Sequence, residues 1–265
     1  MGTGKPSLLI PSLTDIAAFI AFMACVALAS YAQNLTGFAF SLILLGLVSV
    51  LHIASITDTA NAAMVLTLVS AWTYFRTQRA PPPWALVRPA MLGSALGVAG
   101  GVTLLGWLSG SSLVLLRALL GVCVLGCAWL LVARGDQGAV PIKPSQFAAV
   151  GVLAGLLGGL FSTSGPPLVY YLYRQSLDRE TVRRALLVLF AFGALVRLVL
   201  VLPTGQFSLR AAVLAACAVP VVYGVTRWHH HLQPRLAVAT LQRVVAGLLA
   251  LTGVLLLVDA CRQMG

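Results

Sequence analysis

The stretch GGLFSTSGPPLVYYLYRQ, Gly158 to Gln175, breaks an apolar run with two serines, a threonine, a glycine and two prolines, then ends on a basic residue and a glutamine. Whether that break lies at a surface or inside a bilayer decides the fold. Composition identifies the solvent: 60% of the residues are hydrophobic, 9% are charged and the mean hydropathy is +0.98. A soluble domain carries about 25% charged residues, so this chain cannot cover itself with polar groups in water. Apolar runs of about 18 residues or more read as membrane spans. They occupy 13–31, 58–76, 88–108, 112–133, 180–202, 208–228 and 235–258, with shorter runs at 37–52, 145–161 and 166–173. No polar stretch is long enough to fold alone. The first run follows a single lysine and is too long for a signal-peptide core, so it reads as a membrane segment.

The net charge of +11 is not spread evenly. Arg76, Arg79, Arg88, Arg134, Lys143, Arg174, Arg179, Arg183, Arg184, Arg227 and Arg235 fall in four connections, whereas the opposite ends carry only Lys5, Arg117, Arg210 and Arg262. That asymmetry is the signature of cytoplasmic loops and needs no nucleic acid to explain it. Threading the chain under this constraint places both ends of 145–173 on the basic side. The STSGPP break is then the tip of a hairpin that turns back within the membrane. The first half obeys the same plan upside down, with a break at YAQNLTGF, Tyr31 to Phe38. The expected fold is an all-α polytopic membrane protein with an inverted-topology repeat. Each half, 1–138 and 139–265, is a broken helical hairpin followed by three spanning helices. Both termini are expected on the periplasmic side of a bacterial inner membrane. Short internal matches agree: LLRALLGVCVLG at Leu115–Gly126 is similar to LQRVVAGLLALTG at Leu241–Gly253.

With these residues in view, the chain resembles the sulfite exporter TauE/SafE family, also called the transporters of sulfite uptake. The second-half resemblance rests on the Gly-rich helix, the break at Gly165, Pro166 and Pro167, then Arg183 and the LVRL containing Arg197. QNLTGFAFSLILLG is similar to the family's first-half pattern and keeps Gly37 and Phe38. Ser162–Ser164 stand where the family commonly has a more glycine-rich segment. The resemblance implies a secondary transporter that exports sulfite or a small organosulfonate such as sulfoacetate by alternating access. An anion channel, or a carrier of another anion such as a carboxylate, is the other class that the residues allow.

The candidate substrate residues follow from the two breaks. Irregular backbone at membrane depth is tolerated only inside protein or beside a watery cavity. Gln33, Asn34, Thr36 and Gly37 at one tip, and Ser162, Thr163, Ser164, Gly165 and Pro166 at the other, offer hydroxyl, amide and backbone donors. Pro166 suits the first turn of a new helix, whose free N–H groups favour an anion. A break that merely lets helices pack closely is the competing account. All six acids sit at or beyond the ends of apolar runs, while Arg197 lies well inside one. Arg183 and Arg197 are two heptads apart and share roughly one helix face. Two readings of Arg197 stay open: a pocket cation, or a side chain snorkelling to the outer headgroups. Arg183 is either a pocket cation or a positive-inside anchor. No HExxH, GxSxG or Walker pattern is present, and WHHHLQP at Trp228–Pro234 lacks nearby acids or cysteines, so no enzyme, cofactor or metal site is expected. The expected partners are a small anion and the lipid bilayer.

Overall fold

The computed structural model describes residues 13–36, 38–78, 81–111, 113–132, 143–162, 164–175, 177–205, 207–232 and 238–264. Among them there are ten helices and no strand: α1 (Leu13–Thr36), α2 (Phe40–Val50), α3 (Ile56–Gln78), α4 (Trp84–Ser111), α5 (Leu113–Val132), α6 (Pro144–Phe161), α7 (Gly165–Tyr173), α8 (Arg179–Val201), α9 (Leu209–Leu232) and α10 (Val238–Met264). Five of these, α1, α4, α6, α8 and α9, are long and apolar enough to cross a bilayer. The protein is therefore an all-α polytopic membrane protein. α2 and α7 have 11 and 9 residues, about 17 and 14 Å of helix, roughly half of a hydrocarbon core. Each short helix follows a long one across a break, and three longer helices follow each short one.

The first break is later than its sequence indicates. The chain stays helical through Gln33 and Asn34 to Thr36 and resumes at Phe40. Asn34 is held inside the helix because its amide donates to the Ser30 carbonyl one turn back at 2.9 Å. The second break is short. Ser162 adopts a left-handed backbone, φ 55°, that ends α6, and α7 begins at Gly165 with prolines in its first turn, where a missing N–H is harmless.

The most extensive helix contact joins α4 to α6, and small residues make it possible. Gly93, Gly97 and Gly101 on α4 face Gly151, Gly155 and Gly159 on α6, both sets at four-residue spacing. A Cβ on Gly97 would lie 2.1 Å from the Val152 carbonyl oxygen, and one on Gly155 would lie 2.3 Å from that of Ser94. The backbones thus touch directly, as in small-xxx-small membrane pairs. α5 packs along α10, where Gly121 faces Gly253 and Arg117 pairs with Asp259 at 3.0 Å. Two of the contacts recur five helices on: α4 with α6 as α9 with α1, and α3 with α9 as α8 with α4. The α8 N-terminus is fixed by Asp178, whose carboxylate accepts from the Thr181 N–H at 2.8 Å.

Candidate functional site

The two breaks meet. Gln33 from the end of α1, Phe38 to Ser41 from the start of α2, and Ser162 and Ser164 from the α6–α7 turn line one small cavity, completed by Thr67 of α3 and Phe190 of α8. Its volume is about 10 Å³, about the room of one water molecule. Both short helices begin at this cavity, and neither N-cap residue, Ala39 or Ser164, closes its helix with a side-chain hydrogen bond. The first-turn N–H groups of a helix have no partner within the helix, and they carry the positive end of its dipole. In α7 the two prolines remove two of these donors, which leaves the N–H groups of Gly165 and Leu168. In α2 the N–H groups of Phe40, Ser41 and Leu42 precede the first helical bond, from Ile43 to the Ala39 carbonyl at 3.0 Å.

Behind the cavity sits a buried cation. Arg197 of α8 has no exposed surface, which rules out snorkelling. Its Nη2 donates to the Asn61 side-chain oxygen of α3 at 3.2 Å and its Nη1 to the Gly158 carbonyl of α6 at 3.4 Å, while Nε has no partner. Among the described residues no carboxylate pairs with it. Removing an ion from water costs several kcal/mol unless a partner compensates, so two neutral oxygens leave this guanidinium under-compensated. Arg197 is linked to the cavity through Gly158: a Cβ there would lie 2.5 Å from Ser164 Oγ. Gly193, one turn before Arg197, faces Ser164 Oγ and Ser94 Oγ, at 3.5 and 3.8 Å from where its Cβ would stand. The hydroxyls of Ser94 and Ser162 are buried without a partner. Two hydroxyls able to donate are thus left over beside the cavity, and a guanidinium lies close by.

The other sequence-derived candidates fall in different places. Asn34 is buried but bonded to Thr226 Oγ1 of α9 at 3.2 Å, beside the cavity rather than on its lining. Arg183 lies 14 residues before Arg197, about 21 Å along α8, with its guanidinium 4.9 Å from the Tyr74 ring centre. It joins α8 to α3 near the basic end and does not line the cavity. Gly37, Thr163 and the side chains of Thr36 and Pro166 lie outside the described residues. His52 is exposed in the turn after α2.

Several residues escaped sequence reasoning. Asn61, Thr67 and Ser70 of α3 are all buried, and Ser70 Oγ donates to Gln33 Oε1 at 3.3 Å. Their signal was present as polar side chains spaced along a span, the pattern of an inward-facing stripe.

The sulfite exporter TauE/SafE family pattern matches residues 22–256. The chain belongs to the sulfite exporter TauE/SafE family. Over 256 residues it is 31% identical to the probable sulfite/organosulfonate exporter TauE of Cupriavidus necator, covering 97% of each chain. No solved structure matches the chain. Membership of the TauE/SafE family makes this protein a membrane transporter and not an enzyme.

Proposed function

We propose that the protein exports small sulfur oxyanions, sulfite or an organosulfonate such as sulfoacetate, across the bacterial inner membrane by alternating access. The observation that carries this reading is the buried Arg197, unpaired with any carboxylate among the described residues, beside a cavity where two uncapped helix N-termini meet. A pyramidal sulfite or a tetrahedral sulfonate presents three oxygens. Ser162, Ser164, Gln33 and the α2 N–H groups would hold them, and Arg197 supplies the balancing charge. Family membership and the named relative support a sulfur anion over a carboxylate. The cavity has room for about one water, so the α6–α7 turn and α8 must separate to admit an anion. Two halves, 1–138 and 139–265, related by an inverted repeat with both termini periplasmic, fit the repeated helix order and the placement of the basic connections.

Flux into proteoliposomes, screened over sulfite, sulfoacetate, taurine, sulfate, phosphate and acetate, tests the substrate. Saturable sulfite or sulfonate flux is expected. Preference for acetate or phosphate, or steady unsaturated current, would replace the proposal with a different carrier or a channel.

A further inference from the structure

A second cavity shares no lining residue with the polar one: where Thr67 and Phe190 face the polar cavity, their neighbours Leu68 and Ala191 face this one. α3, α4 and α8 enclose an open apolar groove of about 570 Å³, walled by Leu68, Phe75, Met91, Val188, Phe192 and Leu195. Its mouth holds Trp72, Arg76 and Trp84. Arg76 is in the last turn of α3 and is exposed, with its guanidinium 5.0 Å from the Trp72 ring centre. Trp84 opens α4. On α8 the groove stripe continues one turn back from Val188 to Arg184, which donates to the Pro81 carbonyl at 3.4 Å beside the same mouth. The nearby carboxylate of Glu180 accepts from the Tyr74 hydroxyl. The mouth is thus basic and aromatic and the trough behind it is apolar.

The trough runs from Arg76 to Leu68, eight residues or about 12 Å of helix, within the depth of one leaflet of a core about 30 Å thick. Tryptophans and arginines at this level are where a bilayer places its headgroups. We infer that the groove holds one anionic phospholipid of the leaflet on the arginine-rich side. Its acyl chain lies along α3 and α8, its phosphate meets Arg76, and the indoles of Trp72 and Trp84 flank the glycerol region. Basic pockets between membrane helices select anionic headgroups for this reason. Because α3 and α8 also carry Asn61 and Arg197, the lipid splints the two helices that hold the buried cation.

The test is native mass spectrometry of the full-length protein released from detergent, with phosphatidylglycerol and phosphatidylcholine of matched chains supplied in equal amounts. One phosphatidylglycerol should be retained in preference, by about five-fold, the gain expected of one guanidinium beside an anionic headgroup. Arg76→Gln, at an exposed position, should abolish the preference without altering thermal stability in detergent alone. Ala191→Trp, which fills the trough, should reduce retention of both lipids. Equal retention of the two lipids by the wild type, an unchanged preference in Arg76→Gln, or a lipid-free dimer covering this face would overturn the inference.

Discussion

The guanidinium of Arg197 on α8 donates to the side-chain oxygen of Asn61 on α3, 3.2 Å away, deep in the protein with no carboxylate paired to it among the described residues. A neutral amide thus does the orienting that an acid does at most buried arginines. It holds the fork in place and leaves its charge for another partner.

Replacing Asn61 by aspartate should therefore be a selective lesion. The carboxylate would satisfy Arg197 internally, so the protein should fold at least as well while anion affinity drops about 10- to 100-fold, the worth of a hydrogen bond to a charged group. Calorimetric titration of sulfite into the detergent-purified variant, alongside its melting curve, measures both effects. Unchanged affinity would remove Arg197 from the anion site.

Arg197 itself should tolerate lysine poorly. Arg197→Lys keeps the charge but loses the planar fork that reaches Asn61 and Gly158 together, so partial transport is expected, and Arg197→Ala should abolish it. Equal flux from arginine and lysine variants would mean that only a point charge is required.

At the cavity, Ser164→Ala and Gln33→Leu should each weaken binding about two- to ten-fold, the range of a single neutral hydrogen bond. Asn34→Leu should leave affinity nearly unchanged and lower stability instead, because Asn34 bonds Ser30 and Thr226 away from the lining. Dissociation constants and melting temperatures for the three variants separate these outcomes.

The contrast between Gln33 and Asn34 shows how far the sequence could be read. Polar residues and a Pro-Pro pair inside apolar runs located both breaks, because unsatisfied backbone cannot face lipid. Adjacent residues of a helix, however, point about 100° apart, and only packing decides which one faces the cavity. Polarity alone does not distinguish a loop from a buried, bonded side chain, and Gln33 and Asn34 are buried side chains on the last turns of α1. Arg197 lies five residues from Leu202, so its length alone allowed it to reach either headgroups or interior. The face of α8 that meets α3 decided the matter. Asn61 went unread because it lies in neither a break nor a charged run.

Two glycines on the packed helices α6 and α4 should behave oppositely on substitution. Gly155→Ala places a Cβ 2.3 Å from the Ser94 carbonyl oxygen and should cost about 1–3 kcal/mol through overpacking. Gly100→Ala meets nothing within 4 Å and should be neutral or raise helix stability by about 0.5–1 kcal/mol. Thermal unfolding in one detergent compares them directly.

The N-cap of α8 should respond to acid. The Thr181 side chain, then its backbone N–H, holds the Asp178 carboxyl below the usual carboxylate range. A depressed native pKa means that this cap is fully present above the unfolded value, about 3.9, and is lost as pH falls through the lower native value. Protection of the Thr181 amide, taken relative to its intrinsic exchange rate, should fall below about pH 4, and Asp178→Asn should flatten that pH dependence.

The glycine contact between α4 and α6 has a mechanical consequence. α4 belongs to the first set of five helices and α6 to the second, as do α5 and α10 across their own contact. These are the two most extensive of the contacts that cross from one half to the other, and one of them sets backbone against backbone. Rocking the halves as separate bodies would break both, so the motion that admits an anion is expected in the short half-helices and in α8, whose contacts with α3 and α4 are less extensive. A covalent staple between α4 and α6 should accordingly leave transport running, whereas one between α3 and α8 should stop it.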